Sequence, residues 1–286
     1  MRLTISAALG ALLLSAPAVA QDAGAPAPAP PAAIEDGGDR VTIGVGAAYL
    51  PDYDGSEDSQ FSPAAIAVGR VGGIDFFTRG TQLYVDLAAD RPGPGTNLEL
   101  GVIGGVRLDR TGGIENDQVD ALGEIDTAYE VGAFVGVSRT GVITSDFDTL
   151  TARVGFVHDV SGTHRSFVVT PQVNYTTPLS TRTLVSLGVS ADYVGRGYNR
   201  TYSGVTTAQS LASGLRAFDG ADEGFRRVNL SALAVQSLSG DLRRGLGLGA
   251  GVLYGRLLGR AKDSPIVRDV GDRDQWSFAA GLTYTF

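Results

Sequence analysis

The 286-residue chain has no cysteine, so no disulfide framework stiffens it and no thiolate can serve a zinc, redox or nucleophilic centre. Histidine is nearly absent too, at two residues. Basic charge is in deficit: 23 Lys and Arg against 31 Asp and Glu leave a formal net charge of -8, and a protein that grips phosphate backbones needs the opposite, which excludes nucleic acid as a partner. Sustained helical periodicity is missing from residue 39 onward, and so is any apolar run of the 18 or more residues a spanning helix needs. Glycine, by contrast, is abundant. Forty of them, without a Gly-X-Y period and alongside a 43% hydrophobic content, fit neither collagen nor disorder and belong inside ordered structure.

Residues 1–20 read as a signal peptide: Arg2, an apolar run from Leu3 to Ala16, helix-breaking Pro17 and the small-residue site Ala18-Val19-Ala20, with cleavage expected after Ala20. No cysteine follows that site, so a lipoprotein acyl anchor is excluded. Residues 21–38 are rich in Ala and Pro and read as an extended periplasmic tether. The rest, 39–286, alternates apolar residues with Gly, Ser, Thr or charge. In the C-terminal stretch Trp276, Phe278, Ala280, Leu282, Tyr284 and Phe286 share one face, and Ser277, Ala279, Gly281, Thr283 and Thr285 the other, which is the period of a β-strand.

Segments of this kind recur near 40–49, 61–70, 72–79, 81–88, 98–108, 128–138, 148–158, 165–175, 182–194, 225–236, 242–254 and 275–286. The fold class expected is all-β, a transmembrane antiparallel up-and-down barrel of about twelve strands, or ten if the third and fourth fail. Aromatics at strand ends (Tyr49, Tyr129, Tyr175, Tyr193, Tyr254, Phe286) suit interfacial girdles. The longest connections, 50–60, 109–127, 195–224 and 255–274, alternate with short ones, as outer loops alternate with periplasmic turns. Glu99, Arg107, Glu130, Arg153, Arg182, Asp192, Arg227, Asn229 and Arg243 fall on the polar face and are expected to line the lumen, where mixed signs can neutralise one another and the remaining space suits small side chains. The outer membrane is the location this implies, with its lipid and lipopolysaccharide as surroundings.

Catalytic and metal patterns are not found, and no cofactor is expected. His158 and His164 lie near Asp159, Ser161 and Ser166, but no nucleophile motif brings them into a triad. The acidic runs Asp52, Asp54, Glu57, Asp58 and Asp263, Asp269, Asp272, Asp274 miss the EF-hand spacing and read as solvated loop charge. Gly245 to Gly251 alternates strictly by two, with no helix after it, and is a strand with a small inner face instead of a dinucleotide fingerprint.

Three stretches carry a more specific likeness. Tyr198-Asn199-Arg200-Thr201-Tyr202-Ser203-Gly204-Val205 continuing through Ser213-Gly214-Leu215, Tyr254 to Val267 with Leu258-Gly259 and Ser264-Pro265, and Pro51-Asp52-Tyr53-Asp54-Gly55-Ser56 together resemble the MipA/OmpV family of outer-membrane proteins. Arg260 departs from the family pattern, which has an acidic residue there. Terminal Phe286 resembles the signal read by the outer-membrane barrel assembly machinery. What the resemblance implies is a non-enzymatic scaffold, since the founding member joins a murein lytic transglycosylase to a bifunctional penicillin-binding protein that synthesises peptidoglycan. A narrow small-solute channel and a surface adhesin or ligand-binding barrel stand as alternatives.

Overall fold

The computed structural model describes residues 38–91 and 93–286; the expected signal peptide and all of the expected tether but Gly38 lie outside them. Twelve strands follow in chain order: β1 Arg40–Pro51, β2 Ser59–Val71, β3 Ile74–Arg79, β4 Gln82–Asp86, β5 Gly95–Arg107, β6 Ala128–Thr140, β7 Thr149–Asp159, β8 Phe167–Pro178, β9 Thr183–Val194, β10 Gly224–Ser237, β11 Gly245–Leu257 and β12 Asp274–Thr285. Each pairs antiparallel with its sequence neighbours, and β1 pairs with β12 to close the barrel. Five short helices sit in the long connections: α1 Asp117–Asp120, α2 Arg196–Ser203, α3 Thr207–Ser213, α4 Gly259–Asp263 and α5 Pro265–Arg268.

Alternation decides what each face meets. Along β5, Leu98, Leu100 and Val102 point outward and are exposed while Glu99 and Ile103 are buried inside, and β12 repeats the pattern with Trp276, Phe278, Leu282 and Tyr284 outside. An apolar outer belt on a closed sheet is the surface a bilayer requires, because closure leaves no strand edge against hydrocarbon. Aromatic rings run from strand to strand near the outer rim: Phe156 stacks on Phe167, Phe167 on Tyr193, and Tyr193 meets Phe225 edge-on at 5.3 Å. Closure itself depends on glycine at one place. Gly46 stands opposite Gly281 in the β1–β12 register, and a Cβ on Gly46 would sit 2.1 Å from the Ala280 carbonyl oxygen, so the two strands can coil this closely only without side chains there.

All twelve expected strands form, including the short β3–β4 hairpin. Two departures matter. β11 starts at Gly245 because Asp241 folds the preceding turn, accepting from the Arg243 backbone N–H at 2.8 Å and pairing with the Arg243 guanidinium. Arg243 and Arg182 are therefore turn residues exposed to water, not lumen charges. The inner face is also not confined to small and polar groups. Phe77, Tyr84 and Phe134 all point inward and are buried, with Phe77 stacked on Tyr84 at 4.8 Å and Tyr84 tilted against Phe134 at 5.5 Å. Period two alone does not say which of the third strand's aromatics turns inward, because consecutive Phe76 and Phe77 offer one to either face.

At the short-turn end, the connection 141–148 is held by one carboxylate. Asp148 accepts the backbone N–H groups of Val142, Ile143 and Thr144 at 2.6, 2.8 and 2.6 Å and the Tyr175 hydroxyl at 2.7 Å. Burial alone would raise its pKa, but those donors outweigh burial and hold it well below the usual carboxylate range. A depressed folded-state pKa contributes stability above the unfolded value near 4 and loses it as pH falls below. Asp148→Ala is expected to lower the unfolding free energy by about 2 kcal/mol, the loss of several backbone hydrogen bonds, and to open 141–148 to proteolysis; urea titration and limited digestion of the micelle-folded protein check both.

Candidate functional site

The four long connections fold over the outer mouth as one plug. Tyr53, Val119, Leu122, Val205, Leu215 and Ile266, drawn from all four, form a single buried cluster. Polar bonds lock the loops in pairs: Gln118 Nε2 donates to the Ser213 carbonyl at 3.0 Å, Gln209 Nε2 to the Leu122 carbonyl at 2.8 Å, and Ser264 Oγ to the Ser203 carbonyl at 2.7 Å. Gln275 ties the first loop to the last, accepting from Gly55 N–H and donating to the Ser56 carbonyl.

The stretches singled out in the sequence are the parts of this plug. α3 opens on a reciprocal capping box between Thr206 and Gln209 and ends at Gly214, whose φ of 76° closes the helix in the left-handed region, a conformation that favours glycine. Ser213 donates back to the Gln209 carbonyl. Ser264 caps α5 and Pro265 occupies its first turn, both buried, a placement proline favours because no helical N–H is lost. Gly259 follows Leu258 at the start of α4, and Gly204 ends α2. Pro51 ends β1, and Gly55 turns the first loop. Phe286, beyond the last strand, is exposed and donates its N–H to the Val41 carbonyl.

Below the plug, charges are paired from strand to strand along the lumen wall. Arg153 meets Glu99 at 2.5 Å, and its guanidinium lies 4.7 Å from the centre of Phe77 and 5.1 Å from that of Phe134, so the aromatic layer and this ion pair pack together into the lumen from the β3–β7 side. Arg107 binds Glu130 through two nitrogens, each at 2.9 Å. His164 reaches the same carboxylate at 3.1 Å, packed edge-on against Tyr198. It belongs to the β7–β8 connection but is buried, with its ring turned into the lumen, whereas His158 faces outward. The triad geometry does not form: Ser161 Oγ donates to Asp159, and the His164 ring turns away to Glu130.

Two adjacent arginines reach inward because of an irregularity in the wall. The β9–β10 register shifts between Phe225 and Arg227, and a bulge sets successive side chains on the same side. Arg226 and Arg227 both grasp Asp54 at 2.8 Å, and Arg226 also donates to Ser203 at 2.6 Å. Asp54 is thus a structural anion of the plug instead of solvated loop charge. Burial raises its pKa, but Arg227 and then Arg226 outweigh that and lower it to about 2. Asp52 is likewise buried, and accepts from the Glu115 N–H. Asp109, buried beside Asp54 and bonded to its N–H at 3.1 Å, has its pKa raised by burial and by that neighbouring charge. Asp192 accepts from Thr170 and Asn229 and lies 3.8 Å from Arg227.

Arg79, Arg226, Asp109 and Arg110 were not singled out from the sequence. The Arg-Arg pair next to the glycine that starts β10 was the available signal for Arg226. Arg110 had none: 2% exposed at a φ of 58°, it donates one bond, to the Gly123 carbonyl, and its Nε and Nη1 have no partner. Among the described residues no group of three His, Cys, Asp or Glu could hold a metal ion.

A family model described as MltA-interacting protein MipA matches residues 43–286. No curated protein matches the sequence. Among solved structures, the outer membrane channel DcaP of Acinetobacter baumannii is similar at 10% identity over 88% of this chain and 99% of that one, with a TM-score of 0.36. An outer membrane channel from Pseudomonas putida F1 is similar at 10% over 87% and 96%, TM-score 0.40, and the anion-selective porin from Comamonas acidovorans at 10% over 87% and 99%, TM-score 0.37.

Two substitutions should move stability in opposite directions. Asp54→Asn leaves buried Arg226 without its anion and Arg227 with only Asp192 at 3.8 Å, and is expected to cost about 3–5 kcal/mol, while Arg110→Met removes an unpaired buried cation and should stabilise by about 1–2 kcal/mol. The Asp54 contribution is present above pH 4, the unfolded value, and fades as pH falls toward 2. Urea unfolding of the micelle-folded barrel between pH 7 and pH 2.5 measures all three effects.

Proposed function

The chain belongs to the MipA family, matched from residue 43 to 286, and from that premise we propose that it is a non-enzymatic outer-membrane barrel acting as a membrane-bound scaffold, which holds a murein lytic transglycosylase and a peptidoglycan synthase at the periplasmic side. The observation that carries this reading is a lumen obstructed at two levels. A layer of Phe77, Tyr84, Phe134 and the Arg153–Glu99 pair occupies its middle, and an interlocked plug occupies its outer mouth. A barrel packed in this way offers little to a passing solute, which supports an anchoring role over a transport one. The family description names an interaction with MltA, and a periplasmic enzyme would meet the short-turn end.

That end is suited to contact. The 141–148 turn, held by Asp148, presents Ile143 and Phe147 at 69% and 59% exposure, and Leu179 of the neighbouring turn is 65% exposed. A photoreactive residue at Ile143 or Leu179, crosslinked in cells and read by mass spectrometry, is expected to capture murein enzymes, whereas one at Leu211 on the plug is not. Capture from the plug alone, or from neither end, overturns the scaffold reading. In planar bilayers the purified protein is expected to give no resolvable conductance steps; steady channels would replace this reading with the pore.

A further inference from the structure

Under the plug lies a polar cavity with about 50 Å³ open to water, room for roughly three to five water molecules. It sits where the barrel wall is lowest. β3 pairs with β2 over Val68–Val71 alone, so residues 59–67 of β2 have no strand on that side, and the hairpin tip reaches β5 only at Val106, whose N–H donates to the Thr81 carbonyl. Unpaired sheet edge is not tolerated against hydrocarbon, and Pro63, with no N–H to leave unsatisfied, stands on this stretch of β2. The notch therefore belongs at the level of the lipid headgroups. Arg79 at the end of the hairpin and Arg107 at the end of β5 flank it, and both line the cavity.

Arg79 differs from the other lumen arginines. Its guanidinium crosses to β9 and donates to Ser190 Oγ at 3.0 Å, yet among the described residues no carboxylate lies within 4.0 Å of it. Arg107 has Glu130, and Arg226 and Arg227 have Asp54. Asp192, the acid on the same wall, is occupied by Thr170, Asn229 and Arg227. A guanidinium carries five donors in a planar fork that matches an oxyanion, and the bond to Ser190 leaves most of that capacity at the cavity.

We propose that this cavity binds one phosphate-class oxyanion, with Arg79 as its principal donor and Arg227 on the opposite wall as a second positive charge. The anion enters through the notch, either as a lipid headgroup or as free phosphate. The site does not depend on the scaffold reading and stands or falls separately from it.

Calorimetric titration of the full barrel, folded in zwitterionic micelles, tests this with two ligands: inorganic phosphate, and phosphatidylglycerol doped into the micelles. Saturable binding of one or both is expected; phosphate alone identifies a soluble source, phosphatidylglycerol alone a headgroup source. Arg79→Gln should weaken binding tenfold or more, Arg79→Lys less, because the charge stays while the fork is lost, and Arg200→Gln on the exposed plug surface should leave it unchanged. Heat-shift electrophoresis reports folding of each variant, and if Arg79→Gln does not fold, Arg79→Lys decides. Absence of saturable binding to either ligand, or wild-type affinity in the folded Arg79 variant, overturns the proposal.

Discussion

Every strand in this molecule is answerable to one constraint: in a bilayer, each backbone N–H and C=O must find its partner inside the protein. Pairing of β1 with β12 meets that requirement for the sheet as a whole, and the Gly46–Gly281 contact lets the last seam close. Once the sheet is closed, period two leaves no freedom about the faces. Residues such as Leu98 and Leu100 go to lipid, and Glu99 between them goes inside, so the lumen inherits whatever polarity the outer belt cannot accept.

That inheritance sets the interior chemistry. A carboxylate or guanidinium taken out of water costs several kcal/mol unless it is paired and hydrogen-bonded, and the lumen charges obey: Glu99 with Arg153, Glu130 with Arg107 and His164, Asp54 with Arg226 and Arg227. The plug follows from the same logic, because Asp54 belongs to the first long connection and Arg226 reaches Ser203 in helix α2 of the third. Charge neutralisation in the barrel thereby fastens the loops over it. Among the described residues, Arg110, buried with two unpartnered nitrogens, departs from this rule, as does Arg79, which bonds a hydroxyl and no carboxylate.

Strand number, strand faces and the alternation of long and short connections were legible because each is written in a local period. Asn229, Arg107 and Arg153 could be assigned inward by parity alone. Parity fails where the backbone breaks step: the register shift at Phe225/Arg227 turns Arg226 inward, and the turn built on Asp241 removes Arg243 from its strand. Glu99 and Arg153 meet over Gly136 of the strand between them, and Arg226 meets Asp54 of a loop 172 positions away; both pairings depend on strand register and loop placement, which no local pattern encodes. The aromatic layer was missed for a related reason, since Phe77 and Tyr84 matter only through stacking on each other.

The residues that carry the family likeness, among them Tyr198, Tyr202, Gly214, Ser264 and Pro265, are accounted for by plug geometry: helix caps, a left-handed turn and rings packed over the lumen. A likeness built on them transmits the architecture of the outer end. An enzyme in the periplasm would touch different residues, such as Ile143, Phe147 and Leu179, whose presentation rests on Asp148 and not on any signature. Family membership and partner choice are therefore physically separable: a chain can keep the plug intact while its short turns change, and under the scaffold proposal the partner is to be sought at the turns.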